Sequence, residues 1–295
     1  MSLIEKALNK SRLLGAKPVT TTTASIQSAP LPGVARAEPG RRVKLDMDQL
    51  RVRGMIPPAD EQHRHVSQIR AIKNRLLRVA AASGNPRDRV IMFTSALSGD
   101  GKTFSSVNVA LSLATERDVH VLLVDGDVPK PNVGQLFGID SAPGFLDVAR
   151  DPGLDPENLI IGTDLAGLDL MSAGRGGVDT AEIITSGRMS EVIDRLVAVP
   201  NRIVLLDSPP LLQTSEAAVL AQLAGQVVLV VREATTPQRA VQASLAMLGE
   251  RPGVYLVLNG VSESKLEEYY YGYGQNQGYG QQEAEPIHER KVARG

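Results

Sequence analysis

Between residues 89 and 259, short apolar runs alternate with segments that carry apolar residues at helical spacing. Arg89–Ser95, Val119–Val124, Ile203–Leu206, Gln226–Val231 and Val254–Leu258 are strand-length apolar stretches bounded by turn residues. Leu159–Ile161 and Leu168–Met171 read as two shorter strands. The segment after the Gly-containing loop to about Thr115, and then Ala181–Val199, Ser215–Leu223 and Pro237–Leu248, read as helices, with a break expected at Gly187. Strand runs that are apolar throughout, and not alternating, belong in a sheet covered on both faces. The pattern therefore predicts an α/β fold with a mostly parallel, twisted sheet and helices on both faces.

The ends follow other patterns. Residues 1–14 place Leu3, Ile4, Ala7 and Leu8 on one face of a short amphipathic helix. Residues 15–58 begin rich in Thr, Ala, Pro, Gly and Ser without a period, as a linker does. From about Ala59 to Ala82, residues Val66, Ile69, Ile72, Leu76, Leu77 and Ala80 recur at helical spacing and open a main domain over 59–260. Residues 261–295 hold five of the six tyrosines, Tyr269, Tyr270, Tyr271, Tyr273 and Tyr279, spaced by Gly and Gln. No apolar period exists there to bury the rings, and the composition predicts a disordered tail.

Charge adds an asymmetry that the net value of −1 hides. Residues 1–95 carry 17 Lys+Arg against 7 Asp+Glu, and the remainder 15 against 26. A basic first third suits an anionic membrane surface, an acidic partner or a neighbouring subunit, and equally a solvated arm. No recognised DNA- or RNA-binding motif accompanies it, so nucleic acid is not an expected partner. No apolar run approaches the ~18 residues of a membrane span, and MSLIEKALNK lacks the apolar core of a signal peptide. A cytoplasmic location is expected, and the absence of Cys excludes disulfides and thiolate metal sites.

The chemistry concentrates at three strand ends. Residues 96–103, ALSGDGKT, follow a strand and precede a helix, and fit G-x-x-x-x-G-K-[ST] except that Ala96 holds the first position. In that setting Ser98, Gly99, Asp100, Gly101, Lys102, Thr103 and Phe104 would wrap phosphates. Backbone amides would converge on phosphate oxygens, Lys102 would bridge the β and γ phosphates, and Thr103 would ligate Mg²⁺. Asp125 and Asp127 end the second strand and Asp207 the Ile203–Leu206 strand. One such carboxylate is more simply a turn or helix cap. Three in a parallel sheet with a P-loop point to one site beyond the C-terminal strand ends, holding Mg-ATP.

These motifs resemble the Walker A, A′ and B motifs of bacterial tyrosine kinases, and the Tyr-rich end resembles their autophosphorylation cluster. The opening MSLIEKA and the YYYGYG segment are similar to tyrosine autokinases found beside exopolysaccharide and exosortase loci. The resemblance implies an ATP- and Mg²⁺-dependent protein-tyrosine autokinase with Tyr269, Tyr270, Tyr271, Tyr273 and Tyr279 as acceptors in trans. It implies that Asp125 activates the attacking hydroxyl, Asp127 lies near the metal, Asp207 holds Mg²⁺ through water, and Asn259 contacts adenine. It also implies self-association and a membrane-bound chain-length-determining partner, with the kinase peripheral at the inner face of the membrane. Pro129 and Lys130 stand where the family carries arginines, and Ser67, Arg70 and Lys73 where its oligomerisation helix has Glu-x-x-Arg-x-x-Arg. Two other functions fit the core. One is a partitioning-type ATPase, although Leu97 occupies that group's signature lysine position. The other is an ATP-binding adaptor of an export complex that is not a kinase.

Overall fold

The computed structural model describes residues 39–57 and 65–262. The expected N-terminal helix, the start of the 59–82 helix and all five tail tyrosines lie outside these residues. The strands are β1 (Arg41–Val43), β2 (Val90–Ser95), β3 (His120–Asp125), β4 (Ile161–Thr163), β5 (Leu168–Met171), β6 (Arg202–Asp207), β7 (Gln226–Arg232) and β8 (Val254–Asn259). They form one sheet in the order β1-β4-β5-β3-β6-β2-β7-β8. Every pairing is parallel except β4 with β5.

The helices are α1 (Met47–Val52), α2 (Val66–Ala82), α3 (Lys102–Leu113), α4 (Asn132–Phe137), α5 (Phe145–Arg150), α6 (Thr180–Thr185), α7 (Gly187–Ala198), α8 (Ser215–Leu223) and α9 (Gln238–Leu248). Side chains alternate across each strand, so β2 sends Ile91 and Phe93 to one face and Val90 and Met92 to the other. Ile91 and Phe93 pack with Leu123, Leu205 and Val228 beneath Leu76 of α2 and Val107 and Leu111 of α3. Met92 packs with Leu122, Val204 and Leu229 beneath Val192 and Leu196 of α7 and Leu220 of α8. Each fully buried side chain of this kind contributes about 1.5–3 kcal/mol. The two-sided core explains why the strand sequences are apolar throughout.

The break at Gly187 falls where expected: Ser186 takes an extended conformation between α6 and α7. Five elements differ from the sequence reading. Residues 39–57, placed in a linker, instead carry β1 and α1. β1 pairs with β4, Asp46 caps α1 by accepting from Gln49 N, and Leu45 and Leu50 are buried. The segment is tied to α3 where Ile56 N donates to Asn108 Oδ1 at 2.7 Å. A three-residue strand and a single helical turn and a half show no period, which is why they read as linker. The first short strand begins at Ile161, after a 3₁₀ turn at Pro156–Leu159. The six-residue helices α4 and α5 went unread for the same reason as α1. No helix among the described residues is long and apolar enough to cross a membrane.

Candidate functional site

The site lies beyond the C-terminal ends of β2, β3 and β6. β6 lies between β3 and β2, so Asp125 sits directly opposite Asp207 in register, and Phe93 of β2 sits opposite Asp207 on the other side. The loop from β2 to α3 rises from this position. Gly99 (φ 92°) and Gly101 (φ 100°) take left-handed conformations that side chains resist. A Cβ on Gly101 would also collide with the side-chain nitrogen of Asn259. Ala96 is buried without a positive φ, so this backbone does not need glycine at the first motif position. The first amides of α3 lack helical partners, as at any helix start, and with the helix dipole they offer an anion seat.

The predicted carboxylates converge on this loop. Lys102 Nζ donates to Asp127 Oδ2 at 2.7 Å, with both side chains buried. Thr103 Oγ1 donates to Asp207 Oδ2 at 2.6 Å, while Asp207 Oδ1 is buried with no hydrogen-bond partner among the described residues. Asp125 accepts from the backbone N–H groups of Gly134 at 2.8 Å and Asp127 at 3.2 Å. Burial, then the nearby Asp207, pushes the Asp125 carboxyl up to about 7. Burial likewise raises Asp207, against the attraction of Lys102. Burial alone would lower Lys102, but Asp207, Asp127 and Asp125 together outweigh it and hold its ammonium above the usual lysine value. The result is one buried cation among three carboxyls, two of which resist ionisation.

Other predicted site residues take different positions. Ser98 is exposed on the loop. Phe104 turns its ring into the core, near Gly54, so only its backbone faces the loop. Asp100 is buried, and its carboxylate accepts from Leu97 N at 3.1 Å and Thr236 Oγ1 at 2.7 Å. Asn259 is brought to the loop, where its Nδ2 donates to Asp100 O at 3.0 Å. Arg232 Nη1 donates to Gly99 O at 3.1 Å. The phosphate loop is thus latched from the far ends of β7 and β8. Arg232 and Thr236 carry no spacing relative to the loop that a sequence could reveal. Thr236→Val should raise the KM for nucleotide several-fold and cost about 1.5–3 kcal/mol, as for hydrogen bonds to charged groups. Thr236→Ser should restore both. Melting curves and nucleotide titrations would check this, and an unchanged KM in the valine variant would show that the latch does not position the loop.

No protein-family model matches the chain. Among solved structures, the kinase domain of VpsO is 31% identical, with a TM-score of 0.57; the match covers 70% of this chain and all of that one. The chain belongs to the bacterial tyrosine kinases. Among curated proteins, EpsB of Ralstonia nicotianae is 31% identical over 73% of this chain. The tyrosine-protein kinase YwqD of Bacillus subtilis is 27% identical over 75%. The chain spans 27% of the length of EpsB and 92% of that of YwqD.

Two departures from the family pattern acquire a structural setting. Pro129 and Lys130, at the arginine positions, are exposed on the loop after β3. Lys73, which stands at an arginine position of the family motif, is buried and paired with Glu116 at 2.5 Å within the same chain.

Proposed function

We propose that the chain is an ATP- and Mg²⁺-dependent protein-tyrosine autokinase that phosphorylates Tyr269, Tyr270, Tyr271, Tyr273 and Tyr279 in trans. The observation that carries this reading is the convergence of Lys102, Thr103, Asp125, Asp127 and Asp207 at one phosphate loop, on a chain that also carries the tyrosine cluster. Kinase relatives support it.

The residues fit the cofactor. Phosphates would take the loop amides, and Lys102 would exchange its bond to Asp127 for the β and γ oxygens. The Thr103 hydroxyl and the partnerless Asp207 Oδ1 suit a Mg²⁺ held directly by the first and through water by the second. Asp127, freed from Lys102, would stand beside it. The carboxylates form no ready-made cage of three ligands among the described residues; a P-loop Mg²⁺ takes most of its ligands from hydroxyl, phosphate and water. When bound, the ion neutralises charge developing on the transferring phosphoryl group. Asp125 is the base. The tyrosine oxygen bonds to the γ-phosphorus, the bond from that phosphorus to the ADP oxygen breaks, and the phenolic proton passes to the Asp125 carboxylate. A carboxyl poised near 7 is matched to that transfer at neutral pH.

Each phosphotyrosine adds roughly −1.5 to −2 charges to a tail that holds 6 Glu against 4 Lys+Arg from Ser262 onward. Phosphorylated tails would then leave their sites and repel one another. This supports a regulatory cycle in exopolysaccharide synthesis or export, run with a membrane-bound chain-length-determining protein that holds the kinase at the inner face of the membrane. Incubation with Mg-ATP should add mass in phosphate steps that map to the five tyrosines. Nucleotide binding without mass gain, repeated with the membrane partner's cytoplasmic segment present, would favour an ATP-dependent adaptor instead. The exposed Lys130 at an arginine position is the feature that keeps that second reading in view.

A further inference from the structure

Beyond β5 the chain turns through Gly174, Arg175, Gly176, Gly177 and Val178 before reaching α6. This backbone is held firmly. Arg175 N donates to Asp147 Oδ2 at 3.2 Å, and its carbonyl accepts from Arg150 Nη2 at 3.1 Å. Gly177 N donates to Thr180 Oγ1 at 2.9 Å. The loop also lies against the catalytic edge. β5 pairs with β3 up to Val124 and Met171, and a Cβ on Gly176 would stand 3.1 Å from Val128, the neighbour of Asp127.

On this fixed backbone the Arg175 side chain is exposed and makes no hydrogen bond or ion pair with the described residues. The Lys130 ammonium, on the adjoining loop, is in the same condition. Val178 is apolar and fully exposed. Two acidic residues face the loop, but their oxygens are engaged. Asp179 receives Arg150 Nε and Nη2. Asp147 receives Arg150 Nη1 and the amides of Gly144 and Arg175. The outward character of this rim is therefore two cations and one apolar contact.

We infer that residues 174–178 and Lys130 form the acceptor-peptide cradle, and that its occupant is the Glu267–Glu268–Tyr269–Tyr270–Tyr271 segment of a second copy of the chain. The inference rests on the kinase reading and adds what selects the acceptor. Arg175 and Lys130 pair with Glu267 and Glu268. Val178 covers one tyrosine ring while a neighbouring hydroxyl enters at Asp125. In an extended segment the acidic pair and Tyr270 lie about 7–10 Å apart, which suits a rim beside the site. Tether length favours a second copy. β8 and β5 are five strand spacings apart, or about 24 Å. Glu267 is eight residues past Asn259, the end of β8, a backbone span of about 27 Å at full extension. Pairing within one chain would need that segment drawn almost to full extension, whereas a neighbour's tail has no such limit.

The test is a charge swap read by binding. A labelled peptide of residues 264–274 is titrated, with Mg-ADP at low salt, into the full chain with all five tail tyrosines changed to Phe. Its affinity should exceed that of the peptide with Glu267→Lys and Glu268→Lys by about fivefold to tenfold, as two exposed pairs allow. In a chain with Arg175→Glu and Lys130→Glu the preference should reverse, with ADP affinity unchanged. The same preference in both chains would overturn the cradle. Phosphate gain by the full-length wild-type chain reports separately on the kinase reading. If that gain is absent while the swap holds, the surface stands as a tail-binding site and the kinase reading fails.

Discussion

Replacing Lys102 with alanine is expected to lower phosphate gain from Mg-ATP by about 10²–10³-fold or more, the range for removal of one preorganised charge-stabilising donor. The ammonium sits at the start of α3 with its side chain nearly buried. It is the cation there that Asp125, Asp127 and Asp207 jointly attract. Its loss should also be felt without nucleotide. Breaking a buried pair by removing one partner costs about 3–5 kcal/mol, because Asp127 keeps its burial and loses its counter-charge. That cost should depend on pH. Burial already raises the Asp125 and Asp207 carboxyls, so as pH falls these two take up protons and the site's negative charge left without Lys102 shrinks; the Tm deficit of the variant should be smaller at pH 5 than at pH 8. Intact mass with Mg-ATP and melting curves at the two pH values would check both parts. A variant that gains phosphate at the wild-type rate would remove Lys102 from the phosphate site and with it the proposed mechanism.

Much of this site was legible in the sequence because each of its residues follows a strand. The runs ending at Ser95, Asp125 and Asp207 are apolar throughout, so they belong in a covered parallel sheet, and such sheets gather their C-terminal ends. What the pattern cannot express is order across the sheet. Insertion of β6 between β3 and β2 is what puts Asp207 directly opposite Asp125, and no local spacing encodes that choice. The latch on the phosphate loop was hidden for a related reason. Thr236 and Asp100 are 136 residues apart, and Asn259 reaches the loop from the last described strand. A long-range partner also decides the setting of Lys73, which the sequence placed only within a motif of the resemblance: Glu116 pairs with it inside the chain, where it is buried. The packed segment around Leu45 and Leu50 was read as linker because its elements are shorter than the periods used to find them.

Asp125→Asn is expected to cut phosphate gain by about 10²–10⁴-fold, the range for a positioned general base, while leaving nucleotide affinity near the wild-type value. The same substitution should change how stability depends on pH. Asp125 in the folded chain is held at about 7, above its ordinary 3.8, because burial disfavours the charged form. A raised carboxyl contributes stability that is fully present below the unfolded value and is lost as pH rises through the folded one. In the wild-type chain without nucleotide or metal, that loss runs from about pH 4 to about pH 7. Asparagine cannot ionise and escapes it. The amide also presents an NH₂ to one of the two backbone donors that the carboxylate accepts, Asp127 N or Gly134 N, a penalty that does not vary with pH. The diagnostic is therefore the slope: the Tm of the variant relative to wild type should become more favourable between pH 5 and pH 8, whatever its absolute sign. Loss of activity with that slope would mean that one buried carboxyl both accepts the tyrosine proton and weakens the resting fold. Loss of activity with no change of slope would mean that the titrating group is elsewhere, with Asp207, also raised by burial, the next carboxyl to substitute.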